Sequence, residues 1–73
     1  MESSVQAVER ACRLLKSFRQ DNEVLRLRDF VERTGLHKAT ASRLLRTLEQ
    51  EGLIERVGDA GFRSAVRVPN RRR

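Results

Sequence analysis

Between Lys38 and Gln50 the chain carries Lys38, Arg43 and Arg46 with the hydroxyls of Thr40, Ser42 and Thr47, and no acid occurs from Arg33 through Leu48. At about 100° per residue on a helix, Ala39, Arg43, Arg46 and Gln50 point one way. Thr40 and Thr47 flank them on one side and Ser42 on the other. Such a face can recognise a polyanion. An Arg can grip the O6 and N7 of guanine in a bidentate contact, a hydroxyl can reach base or phosphate, and a methyl can pack on thymine. Phosphates attract every cation on the face whatever the base sequence.

The opposite side of the same segment holds Leu36, Ala41, Leu44, Leu45 and Leu48, the stripe of a half-buried helix running from about residue 38 to 51. Gly52 follows as its stop. Before it, Phe30 and Val31 give a shorter helix, from about Arg28 to Thr34, its own apolar side. Gly35 stands where a sharp helix-to-helix turn needs positive φ. Two helices joined by three or four residues with a glycine form a helix-turn-helix. Arg26 stands where a Ser or Thr cap is expected for the first of these helices, and Asp29 in its first turn compensates in part through the helix dipole.

Ahead of this unit, Ser3 or Ser4 can cap a first helix that ends near Arg19. Val5, Val8, Ala11, Cys12, Leu15 and Phe18 recur at steps of three and four as its buried face, which makes Cys12 a small buried hydrophobe. Ala7 and Leu14 fall off that face, on a second strip for the rest of the domain or a partner subunit to cover. Val24–Leu27 reads as a short strand. After the motif, Ile54–Val57 reads as a strand, 58–61 as a turn and Phe62-Arg63 as the start of a return strand. A hairpin in this place is a wing, whose tip commonly lies over the sugar-phosphate backbone; Arg56 and Arg63 are placed to reach phosphates. Val66 and Val68 can extend the last strand, and Pro69 stops any helix there.

The whole chain bounds the function. Seventy-three residues form one small domain, with no room for a large catalytic cavity. The net charge of +6 favours a polyanionic partner, and residues 60–73 hold five Arg and no acid. The lone His, lone Cys and scattered Ser show no nucleophile–base spacing, and no glycine-rich loop precedes a helix. The expectation is therefore no enzyme, no cofactor and no metal. Three Phe without Trp or Tyr are too few to make stacking platforms, which favours duplex DNA over RNA or single strands. A single Cys, no apolar run near membrane length and no signal-peptide core predict a soluble cytoplasmic protein without membrane contact.

The series from Ser4 to Ala11, Leu14-Leu15, and Leu25 to Val31 resembles an IclR-type transcriptional regulator. So does the run Thr34-Gly35-Leu36-His37-Lys38-Ala39-Thr40-Ala41-Ser42-Arg43-Leu44-Leu45-Arg46-Thr47-Leu48, followed by Gly52 to Arg56. The resemblance covers roughly residues 4–63. It implies a bacterial winged helix-turn-helix head that binds palindromic operators as a homo-dimer or tetramer. It also implies a linker helix and a C-terminal domain, absent here, that senses a small-molecule effector. His37 replaces the family's usual proline, and Arg26 its small hydroxyl cap. Residues 64–69 depart from its Leu-Gly and linker-helix pattern. Either the chain is truncated or another effector domain follows, such as a sugar-binding, periplasmic-protein-like module.

The expected fold is thus mainly α with a small β-hairpin (α+β), a three-helix winged helix-turn-helix over residues 1–65. Residues 66–73 then form a basic tail or the start of a linker. The DNA-binding candidates are Lys38, Ala39, Thr40, Ser42, Arg43, Arg46, Thr47 and Arg63. Arg43 is the first choice for reading a base, with a phosphate contact or a solvated charge as the plain alternative. Arg46, Thr47 and Arg63 are expected to position the backbone. His37 can meet a phosphate, and Arg28 and Arg33 either reach flanking phosphates or are ordinary surface. The competing reading is a winged-helix protein-interaction or dimerisation module without specific DNA readout.

Overall fold

The computed structural model describes residues 5–66. The proposed caps Ser3 and Ser4, and Arg67 to Arg73 with Val68 and Pro69, lie outside the described residues. In chain order the elements are α1 (Gln6–Lys16), β1 (Val24–Arg26), α2 (Leu27–Thr34), α3 (Lys38–Gln50), β2 (Ile54–Val57) and β3 (Gly61–Ser64). The α+β winged helix-turn-helix expected from the sequence is the fold observed.

The helix-turn-helix closes as its residue types require. Gly35 adopts φ +76° and its N–H donates to the Val31 carbonyl at 2.8 Å, ending α2. At the far end of α3, Gly52 takes φ +79°. There Gly52 N–H donates to Glu49 O and Leu53 N–H to Leu48 O, the paired bonds of a Schellman ending. The head of α2 lacks a hydroxyl cap, and Asp29 takes over. Its carboxylate accepts the backbone N–H of Arg26 at 2.8 Å, a hydrogen bond beyond the dipole effect expected of it.

The wing is part of a three-stranded sheet. β3 pairs antiparallel with β2 and with β1, giving the order β1-β3-β2. Leu25 and Arg56 both stand opposite Phe62. The short strand before α2 therefore anchors the hairpin, burying Leu25, Ile54 and Phe62 against the helices. β3 stops at Ser64, and Val66 is exposed beyond it. Phe18, Phe30 and Phe62 run through the core edge to face, with centroids 5.4 and 6.1 Å apart. Leu14, Leu36, Ala41, Leu45 and Leu48 close around them.

Two expectations for α1 are corrected. Cys12 is exposed, as are Val5 and Val8, whereas Leu14 is fully buried with Phe18. The buried side is thus rotated, with Ala11 and Leu15 at its margins. Only the α2–α3 side of α1 is covered, and Leu14 occupies it, with Phe18 just beyond the helix end; they are two of the largest buried side chains. The helix also ends at Lys16 instead of Arg19, because the Ser17 hydroxyl and N–H both turn back to Leu14 O.

The α1–β1 connection is held by one charged group. Arg33 Nη2 meets Glu23 Oε2 at 2.9 Å, while Nη1 donates to Glu23 Oε1 at 3.2 Å and to Ser17 O at 2.9 Å. Glu23 also accepts the Arg19 N–H at 2.7 Å. The hydrogen bond from Arg33 lowers the Glu23 pKa against the opposing effect of burial. The hydrogen bond to Glu23 raises that of Arg33. Of its two readings, Arg33 takes a third: it is a structural strut.

Candidate nucleic-acid interface

Helix α3 presents the candidate face. Lys38, Ala39, Ser42, Arg43, Arg46, Thr47 and Gln50 are exposed, Thr40 and Leu44 are half-buried, and Ala41, Leu45 and Leu48 are in the core. The division follows the helical period because the stripe inside is continuous over three turns. Thr47 Oγ1 donates back to the Arg43 carbonyl at 3.3 Å, leaving its lone pairs outward. His37, exposed, takes the N-cap position without a side-chain bond, and the first turn of α3 contains no acid. The positive end of this helix is therefore not offset from within.

The pairing of charges decides which cations are available. Glu23, Glu49 and Glu55 hold Arg33, Arg56 and Arg63 respectively. Lys38, Arg43 and Arg46 are in none of these pairs. The alternation of β3 also separates its side chains. Phe62 faces the core beside Arg56, whose guanidinium lies 4.9 Å from the ring centroid while it bonds Glu49 of α3 at 3.3 Å. Arg63, the next residue, is on the other face of the sheet. Both its Nε and Nη2 reach Glu55 Oε2, at 3.0 and 2.7 Å. The structure thus gathers Lys38, Ala39, Ser42, Arg43, Arg46 and Thr47 on one surface with Thr40 at its edge, and sets Arg63 apart from them.

Other cations join this surface from neighbouring elements. Arg10 of α1 borders a groove with Thr40, Arg43 and Thr47 of α3. Between α3 and the wing, Arg46, Arg56 and Ser42 line a second hollow with Asp59 and Ala60 of the tip. The sequence reading did not single out Arg10. On the helical wheel it lies 40° from Leu14, and that signal would have set it toward α3 had the buried side been assigned correctly. Among the described residues no group of His, Cys, Asp and Glu could hold a metal ion. No helix among them is long and apolar enough to cross a membrane.

The IclR helix-turn-helix domain family matches residues 7–58, the span from α1 to the wing turn. This chain belongs to that family. It is 38% identical over 61 residues to the glycerol operon regulatory protein of Streptomyces coelicolor, covering 84% of this chain and 24% of that protein. It is 33% identical over 57 residues to the transcriptional repressor IclR of Escherichia coli and likewise to the acetate operon repressor of Salmonella typhimurium. Those alignments cover 78% of this chain and 21% of each repressor. The chain therefore spans about a fifth to a quarter of the length of the curated relatives it matches. As an IclR-type helix-turn-helix it is a DNA-binding domain of transcription regulation, and the family is not one of enzymes.

Proposed function

We propose that this IclR-type domain binds a specific operator in double-stranded DNA, with α3 in the major groove and the wing (residues 54–63) against the backbone. Arg43 reads a guanine edge; Lys38, Ala39, Thr40 and Ser42 lie near enough to the head of α3 to meet the same few base pairs. Arg46 and Thr47 fix the helix on phosphates. Arg63, its charge offset by Glu55, stands on the outer face of the sheet and makes no contact beside α3. The observation that carries this reading is the exposed, acid-free face of α3, with Lys38, Arg43 and Arg46 outside the ion pairs that engage Arg33, Arg56 and Arg63.

The operator is palindromic in this proposal and is bound by a homo-dimer or tetramer. Two α3 helices then enter major grooves one helical turn, or a multiple of it, apart. Exposed Val8 (59%) and Cys12 of α1, with Val5 (65%) at its N-cap, support self-association, since they form an apolar strip that this fold leaves uncovered. A small-molecule effector acts through a further domain.

Selection of random duplexes by this domain at near-physiological salt, alone and fused to a dimerising partner, tests the proposal. A recurring half-site, inverted in the dimeric form, is the expected result. Retention of every duplex alike leaves only a non-specific basic surface.

A further inference from the structure

A hollow of about 450 Å³ opens at the junction of β1, the head of α2, the head of α3 and the wing tip. Its lining is divided by chemistry: Arg26, Arg28 and Lys38 are exposed cations, while Leu27, Val31 and Ala60 are the remaining residues. None of the three cations is in the ion pairs described above. Asp29 holds the Arg26 backbone N–H, and the Arg26 guanidinium, which only donates, makes no cap hydrogen bond to α2 and is free to serve. The acids around the hollow are few. Asp29 is engaged with that N–H, Glu32 stands one turn from Arg28 on α2, and Asp59 sits beside Ala60 and lines the neighbouring hollow with Arg46 and Arg56.

We propose that this hollow is a second DNA contact: a cradle for the sugar-phosphate backbone on the wing side of α3. Arg26, Arg28 and Lys38 take phosphate oxygens, and the C–H face of a deoxyribose packs on Leu27, Val31 and Ala60. The inference rests on the duplex-binding reading above and extends it from Lys38, at the head of α3, to Arg26 and Arg28 at the head of α2. A chain of alternating anionic and apolar units fits a site with a cationic rim and an apolar floor. An acidic peptide would satisfy the rim alone. Because the contact is to phosphate, it carries affinity and register and no sequence information.

The test measures duplex binding by fluorescence anisotropy from 50 to 200 mM salt, for the 73-residue chain and for Arg26→Ala, Arg28→Ala and the double variant. Arg19→Ala, which removes the same charge from the exposed α1–β1 connection, is the control. Each lost phosphate contact lowers the slope of log affinity against log salt by about 0.9, so the double variant loses about 1.8. Over that fourfold change in salt, its gain in affinity at low salt falls about twelvefold short of the wild type's. Arg26→Lys with Arg28→Lys retains the slope, which excludes an effect of misfolding, and circular dichroism checks helix content. A double variant no different from Arg19→Ala overturns the cradle while leaving operator binding by α3 intact. A wild-type chain that binds no duplex overturns both. Equal losses toward duplex and polyglutamate would make the hollow a general anion surface and overturn its assignment to DNA.

Discussion

Removing either member of the Arg33–Glu23 strut should destabilise the domain without touching DNA recognition. The two side chains are 21% and 17% exposed, and their forked contact at 2.9 and 3.2 Å is joined by hydrogen bonds to Ser17 O and from Arg19 N–H. Hydrogen bonds to charged groups contribute about 1.5–3 kcal/mol. Discounted for the water that reaches both groups, the expected cost of Arg33→Ala or Glu23→Gln is about 1–2 kcal/mol. A domain of this size has about 4–11 kcal/mol in all, and each kcal/mol moves its Tm by about 4–8 °C. Thermal melts followed by circular dichroism should therefore fall by roughly 5–15 °C for each single variant. The double variant should lose little more, since the second change finds its partner already gone.

The same strut predicts a pH dependence. The Arg33 hydrogen bond holds the Glu23 pKa below the usual carboxylate value. The unfolded chain therefore binds the Glu23 proton at higher pH than the folded one, and stability rises with pH across that window. The contribution is full above the unfolded value of about 4.3 and is lost as pH falls through the lowered folded value. Glu23→Gln should flatten that acid limb and leave stability at neutral pH merely offset. Two results would refute the reasoning: single-variant losses that add fully in the double variant, or an Arg33→Ala protein whose DNA salt slope drops by about 0.9. The second would return Arg33 to the phosphates.

Four further outcomes follow from the geometry. Arg43→Ala should relax selection at one base position, with a discrimination loss of about 1–3 kcal/mol; uniform weakening on every duplex removes it as a base reader. Arg46→Ala should weaken all duplexes alike and lower the salt slope by about 0.9, whereas Arg63→Ala, across the sheet and held by Glu55, should change it less; the reverse order in titrations would place the wing differently. Gly61→Ala sets a Cβ 2.5 Å from Val24 Cγ1 and 3.0 Å from Val57 O. A melt should show a loss of about 1–3 kcal/mol, partly recovered in Val24→Ala/Gly61→Ala, and no recovery would put the strain in the backbone. Val8→Glu, at an exposed site, should preserve the melting temperature and weaken self-association in sedimentation; unchanged association would rule out the α1 strip as its surface.

The helix-turn-helix was legible because three local signals agreed and outweighed the poor caps at Arg26 and His37: a continuous apolar stripe on α3, an opposite face without acids through Leu48, and glycines at both helix ends that need positive φ. Helix α1 was harder for a definite reason. Val5, Val8 and Cys12 on one edge and Leu14 on the other flank Ala11, Leu15 and Phe18, so two overlapping stripes satisfied the same period. Only the position of α2 and α3 chooses between them. The placement of Arg10 on the α3 side follows from that choice. Arg33 was ambiguous because its partner Glu23 lies ten residues away across a turn and a strand. Arg63 could have been placed from the sequence: once Phe62 is assigned to the core, strand alternation sends its neighbour to the opposite face.

The same pairings explain how a chain with arginines along its whole length can present one directed surface. An ion pair is a small dipole whose field declines quickly, and solvent salt screens it further over a Debye length of about 8–10 Å. Pairing Arg33 with Glu23 and Arg63 with Glu55 therefore quiets the α1–β1 connection and the outer face of the sheet. Lys38, Arg43 and Arg46 on α3, with Arg10 on one side and Arg26 and Arg28 on the other, are outside these pairs. The acids shape this surface as much as the cations do, by their absence from α3 before Glu49 and by their placement elsewhere. Inserting an acid at Ser42 should accordingly do more harm to DNA binding than inserting one at exposed Ala65, just beyond β3, although both change net charge equally. Competitive titration of the two variants on one duplex would decide it, and equal losses would mean that net charge, not its arrangement, governs the encounter.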